Sequence, residues 1–288
     1  MNDLDVKSII KLHDIFSRKD WFQQLGHSQV HENFCKLLAC LNTEEKELML
    51  ELCDRYDWIT FNSYGKYVQK LFEGLVSSGI VPSGKIYLFP LKSKEDRTTS
   101  KSGDTLVYML QGFIHFLQPP FNQAGIYSII EGLDRTSNLT FTMNKDDAFF
   151  VLDDFLGTGD SLLKVLEEIK QLGKVPIEKI VVLALVAHKN ALAILDKLGI
   201  KYSVALVRDK GISDHYPEPQ KTDKISAMQK IELKVTTKKK FQFGYKGSEG
   251  LVTMIKTPNN TFPVFWLPYK FGNAKLEPPF PRFQINKL

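Results

Sequence analysis

The chain has 288 residues, 43% hydrophobic and 25% charged, with a net charge of +5. This composition excludes a disordered or collagen-like chain, and the length suits one large domain or one domain with an extension. No apolar run reaches the ~18 residues of a membrane span. The opening MNDLDVKSII is too acidic and polar for a signal peptide, so a cytoplasmic protein without membrane association is expected.

Residues 1–80 carry 9 Lys/Arg against 12 Asp/Glu, about −3, which leaves about +8 on the remainder. The three cysteines, Cys35, Cys40 and Cys53, form no C-x-x-C pair and have no histidine cluster beside them. Reduced thiols rather than metal ligands are expected.

In chain order, residues 4–80 read as helices. Ile9, Ile10, Leu12, Ile15 and Phe16 mark one apolar face, and Phe34, Leu37, Leu38 and Leu41 a second. Thr43 is expected to cap a third helix carrying Leu48, Met49 and Leu52. Ser63 is expected to cap a fourth, with Tyr67, Val68, Leu71, Phe72 and Leu75 facing inward. Tyr56, Trp58, Phe61 and Tyr64 form a dense aromatic group suited to a core or a partner surface. Ser77-Ser78-Gly79 and Pro82-Ser83-Gly84 then break the helical pattern. A boundary near residue 80 follows, with a helical region 1–80 and a second domain 81–288. The acidic balance of the first region argues against a DNA-binding helix-turn-helix, which needs Lys and Arg for phosphate.

KIYLFPL at 85–91 reads as a buried strand, followed by a polar loop and a helix from Gly103. Lys101, Ser102 and Gly103 lie at that helix's N-terminus. Gly125–Ile130 reads as a second strand, and 131–147, with Arg135, Thr136 and Lys145, as a polar loop. Lys179–Ala187 and Tyr202–Val207 read as further strands, separated by a helix that ends at Gly199. His188 stands at the carboxyl end of the first of these. Strands alternating with helices predict an α/β fold: a parallel sheet flanked by helices, with an N-terminal helical extension.

Between these elements lies the stretch with most chemistry, FFVLDDFLGTGDS at 149–161. An apolar strand ends in two acids, Asp153 and Asp154. A small-residue turn, Gly157-Thr158-Gly159-Asp160-Ser161, then opens a helix. Backbone N–H groups of such a turn, with the helix dipole, make an anion site. Two acids at a strand's carboxyl end can accept hydrogen bonds from sugar hydroxyls, at the edge where open α/β sheets bind ligands. Phosphate and diol together describe a ribose 5-phosphate. The turn lacks the Lys of a Walker A loop and the G-x-G-x-x-G spacing of a dinucleotide fingerprint. Beyond residue 245, Thr257-Pro258-Asn259-Asn260-Thr261 offers two side-chain amides suited to a base or sugar edge.

The 149–161 pattern resembles the PRPP-binding motif of type I phosphoribosyltransferases. D-D-F-x-G-T-G-x-S with the tail G-Y-x-x-S/G-x-x-L-V and T-P-N-N-T-x-P-x-F-W resembles, more narrowly, bacterial phosphoribosyltransferase-like effectors of conflict and antiviral defence systems, such as those beside retrons. The resemblance covers about residues 85–270. It implies a Mg²⁺-dependent glycosyltransferase that makes or breaks a ribosyl C1 bond. Asp153 and Asp154 would be the catalytic acids, meeting the ribose hydroxyls directly or through metal-bound water. Gly157, Thr158, Gly159, Asp160 and Ser161 would hold the 5′-phosphate, Lys101, Ser102 and Gly103 the pyrophosphate, and Asn259 and Asn260 another part of the ligand. The loop before the motif would close over the substrate. Gly157 departs from purine-salvage enzymes, which often place an Asp there, and Asp160 is unusual beside a phosphate. Both leave the acceptor open. The alternative is a non-catalytic PRPP or nucleotide sensor acting on a protein partner through residues 1–80. Direct binding of nucleic acid, motivated by the basic second part, is the third and least supported reading.

Overall fold

A computed structural model describes residues 5–96, 99–133, 141–235, 239–271 and 274–282. The chain divides into two compact units, residues 62–208 and residues 1–61 with 209–288.

The 62–208 unit is built on five parallel strands: β2 (Ile86–Pro90), β3 (Tyr127–Ile129), β4 (Ala148–Leu156), β5 (Ile180–His188) and β6 (Lys201–Arg208), in the order β3-β2-β4-β5-β6. β5 is the sequence IVVLALVAH and every residue of it is buried. A parallel strand covered by helices on both faces loses the polar alternation of a half-exposed one. Helix α4 (Tyr64–Ser77) packs on β6 and β5, and α5 (Ser102–Phe113) on β4 and β2. On the opposite face, Leu162, Val165, Leu166 and Ile169 of α6 (Asp160–Leu172) join Ala191, Leu192 and Leu195 of α7 (Lys189–Leu198) over Phe149, Val151, Val182 and Ala184. The expected parallel sheet between helices is therefore the observed fold.

The other unit joins α1 (Val6–Arg18), α2 (His27–Ala39) and α3 (Thr43–Arg55) to the chain after β6. Leu12, Phe16, Phe34, Leu38, Leu48 and Leu52 share one core with Ile212, Met228, Ile231, Phe262, Phe265 and Phe280. Tyr56 stacks on Phe280 with ring centroids 4.8 Å apart and lies 4.6 Å from Phe265. Asp57 and Trp58 (β1) pair in parallel with Val252 and Thr253 (β7). Helix α8 (Gln220–Leu233) is tied to α3 by Lys224, whose Nζ lies 2.9 Å from Glu51. Lys234 just beyond α8 lies 2.7 Å from Glu45. A short hairpin, β8 (Tyr269–Phe271) with β9 (Ala274–Leu276), completes the unit.

Several boundaries differ from the sequence expectation. The compact units divide not at 80 but at 61/62 and 208/209, and residues 209–288 belong with the N-terminal helices. The physical reason is which core each apolar face enters. The buried face of α4 covers the sheet, where Ser203 Oγ donates to the Leu71 carbonyl at 2.7 Å. A Cβ on Gly74 would stand 2.5 Å from that same hydroxyl, so α4 lies very close to β6. Asn42, not Thr43, caps α3: its side chain accepts from Glu45 N–H, and Glu45 returns to Asn42 N–H. All three cysteines are free thiols. Among the described residues no helix is long and apolar enough to cross a membrane.

Candidate functional site

The site lies at the carboxyl edge of the sheet in the 62–208 unit. Two connections from strand to helix meet there, β2 to α5 and β4 to α6. β4 is apolar through Leu152 because it is buried, then ends in the acids. Asp153 is partly buried and Asp154 is buried. Burial pushes both carboxyl groups up from the usual carboxylate range, and for Asp153 the adjacent Asp154 charge adds to it. Ser102 Oγ donates to Asp153 Oδ1 at 2.6 Å, which joins the start of α5 to the end of β4. Asp154 N–H also donates to that oxygen, at 2.9 Å.

Gly103 follows Ser102 because no side chain fits there. A Cβ would stand 2.7 Å from the Leu152 carbonyl and 2.9 Å from Leu91 N. The N-terminus of α5 is thus pressed against the backbone pair Leu91 N–H to Leu152 O. Lys101 is its cap residue, and the Lys101 ammonium lies 2.8 Å from Asp96. Against burial, which would raise it, Lys101 and Ser93 hold the Asp96 carboxyl below its usual range. Asp104 receives Lys101 N–H at 2.8 Å and the Lys92 ammonium at 3.0 Å.

The second connection is the turn 157–161. Gly159 has φ +84°, the left-handed region, and an added Cβ would meet Ile194 Cδ1 at 2.6 Å. It caps α6 without a side-chain bond, so the first N–H groups of that helix have no cap from residue 159. Asp160 lies in the first turn of α6, where a negative charge is favoured by the helix dipole. Thr158 is partly buried and Ser161 exposed.

Lys101, Ser102, Gly103, Asp153, Asp154 and 157–161 thus converge on one sheet edge. Asn259 and Asn260 belong to the other unit. There the Asn260 side chain donates to Ser248 Oγ at 3.3 Å, and its carbonyl receives Gly250 N–H at 2.9 Å. The Asn259 carbonyl receives Tyr245 N–H at 2.9 Å. The Asn-Asn pair shapes the turn around 244–261. Of the expected closing loop, residues 134–140, with Arg135 and Thr136, lie outside the described residues. His188 is buried at the end of β5, with Phe155 edge-on at 5.6 Å.

One residue at the site carried no sequence signal. Tyr64, the first residue of α4, is buried and donates its hydroxyl to Asp154 Oδ2 at 2.9 Å. Ninety residues separate the two in sequence. The aromatic run around it reads as core or as a partner surface, not as part of a ligand site.

A family model, PRTase-CE, matches residues 20–282. Comparison with curated proteins finds no match. Among solved structures, an orotate phosphoribosyltransferase from Aeropyrum pernix is similar at 17% identity and TM-score 0.30, over 51% of this chain and 71% of that one. A purine phosphoribosyltransferase from Pyrococcus horikoshii is similar at 15% identity and TM-score 0.30, over 53% and 87%. Likenesses that low carry no further argument. The family match spans most of both compact units and includes the Asp153–Ser161 stretch: the chain belongs to the PRTase-CE family and is a phosphoribosyltransferase-like protein.

Proposed function

We propose that the protein binds PRPP, or a related nucleotide with a ribose 5-phosphate, at the carboxyl edge of its sheet and makes or breaks the bond at ribose C1. One observation carries this: Asp153 and Asp154 stand between two helix N-termini, linked to one of them by Ser102 at 2.6 Å. The turn 157–161 offers N–H donors and hydroxyls to a 5′-phosphate, and the start of α5 offers Lys101, Ser102 and Gly103 to a pyrophosphate. The diacid accepts hydrogen bonds from the ribose diol.

Mg²⁺ fits this donor set. Two neighbouring carboxylates in a buried setting favour a counter-cation, and oxygen donors suit a hard ion. Among the described residues no group of three or more His, Cys, Asp or Glu is placed to hold a metal. Asp153 and Asp154 would hold such an ion, directly or through water. When bound it would neutralise charge on the pyrophosphate. The chain's own residues would position the sugar between phosphate and pyrophosphate and stabilise the charge that develops as the C1 bond breaks.

The affiliation with antiviral defence rests on the resemblance of the D-D-F-x-G-T-G-x-S stretch together with the tail pattern beyond residue 243, and a cytoplasmic setting on the reduced thiols expected of Cys35, Cys40 and Cys53. Isothermal titration of PRPP with Mg²⁺, followed by assay for released pyrophosphate or free base, tests the proposal. Binding and turnover are expected in the wild type, and loss of both in Asp153→Asn/Asp154→Asn. Turnover that survives the double substitution would refute the catalytic role. Binding without turnover would instead select the sensing alternative, in which a protein partner engages the helical part of the chain.

A further inference from the structure

The two acids are adjacent in sequence, yet their surroundings differ. Successive residues of a strand point to opposite faces of the sheet. Phe150, two turns of the pleat before Asp154, faces Phe121, which packs on Phe72 of α4. Asp154 continues that same row and meets Tyr64 of α4. Tyr64 is 1% exposed, so its hydroxyl is fixed by packing. Asp154 is 8% exposed, and one of its oxygens is committed to that hydroxyl. Asp153 faces the other way along the strand and is more open. It receives a backbone N–H and the hydroxyl of Ser102, an exposed serine at the rim of the site that also lies within reach of Asp154.

Resting on the ribose 5-phosphate reading above, we infer that Tyr64 divides the diacid into two roles: Asp154, anchored from α4, is a positioning residue, and Asp153 is the acid that meets the sugar diol. The Tyr64 hydroxyl holds Asp154 in one rotamer. At the same strand end the Asp154 N–H donates to Asp153 Oδ1. Asp153 is thereby aimed at the space between Ser102 and the turn 157–161. The arrangement makes the diacid unequal before any ligand arrives. A sugar hydroxyl displaces or shares the Ser102–Asp153 bond, while Tyr64–Asp154 persists.

The test measures affinity for ribose 5-phosphate and for 2-deoxyribose 5-phosphate, with Mg²⁺, in the full chain. The wild type should prefer ribose 5-phosphate. Asp153→Asn should abolish the preference. Tyr64→Phe should weaken ribose 5-phosphate by about ten-fold, because Asp154 is no longer anchored and the diacid loses its orientation toward the diol. It should leave the deoxy sugar within about two-fold, because the phosphate site is untouched. Asp154→Ala should resemble Tyr64→Phe, and combining the two should add little, since they remove the same contact. An equal loss for both sugars in Tyr64→Phe would mean a merely structural tyrosine and would overturn the inference. So would an unchanged preference in Tyr64→Phe, or equal losses in Asp153→Asn and Asp154→Asn. That last comparison needs no change at Tyr64 and serves if Tyr64→Phe fails to fold. A wild type that binds neither sugar phosphate nor PRPP would refute the ribose 5-phosphate reading itself.

Discussion

Single residues here carry charge or space that the fold must accommodate. Glu232 on α8 is fully buried, receives Phe243 N–H at 2.7 Å and faces the charge of Glu249. Burial first, and Glu249 second, push its carboxyl up to about 8 from an ordinary 4.5. The folded state therefore holds a proton that the unfolded chain gives up. The stability this contributes is complete below the ordinary value and is lost as pH rises through about 8. Unfolding measured between pH 5 and 9 should show stability falling by on the order of 1 kcal/mol per pH unit up to about pH 8 and levelling off above it. Glu232→Gln should flatten the slope and raise stability at pH 9; an unchanged slope would show that Glu232 ionises freely. Gly103 is a case of space. Gly103→Ala should cost roughly 1–3 kcal/mol by overpacking and displace Ser102 from Asp153. Lower ligand affinity in calorimetry and a lower melting temperature would report it. Asp153, Asp154 and the turn were legible in the sequence because they lie within nine residues of one another. Tyr64 and Glu232 were not, since their meaning depends on partners that only folding supplies.

Elements show where local pattern suffices and where it fails. The β5 run reads as a buried strand in any setting, because nothing in it is polar before His188. The helix ends at Gly173 and Gly199 are equally local, both glycines having positive φ after the last helical turn. The cap of α3 is local too: Asn42→Ala should lose about 1 kcal/mol in denaturant unfolding, and Thr43→Ala much less, because Asn42 makes the bond. The destination of an amphipathic face is another matter. The face of α4 is as apolar as those of α1 to α3, and periodicity says that it is buried but not against what. Its contact with β6 depends on Gly74 and Ser203, far apart in sequence. Likewise the two-residue ladder Asp57–Trp58 with Val252–Thr253 is too short to leave a strand pattern, yet it joins the N-terminal helices to the tail.

At the scale of the whole molecule, the α/β unit is inserted within the chain of the other unit, so the sequence boundary near 80 cuts through the wrong place. Deleting residues 1–61 removes half of a shared core rather than a separable helical domain. Ile212, Met228, Phe262, Phe265 and Phe280 would lose their partners. Such a truncation should bind a hydrophobic dye strongly and lose dispersed methyl resonances from 209–288, and native-like spectra for that segment would contradict the shared core. The insertion also bears on synthesis. The ribosome releases α1 to α3 long before the segment that completes their core exists, and the intervening 62–208 unit has every strand of its sheet to itself. Both of that unit's chain ends lie at the carboxyl edge of its sheet, Tyr64 beside the end of β4 and Arg208 at the end of β6. Once folded, it shortens a long and entropically costly closure to the span between two points on one edge of a sheet. The 62–208 unit is thus the first to have all of its chain synthesised, and the unburied phenylalanines of the interrupted unit are the surface a chaperone would be expected to cover until residues 209–288 follow.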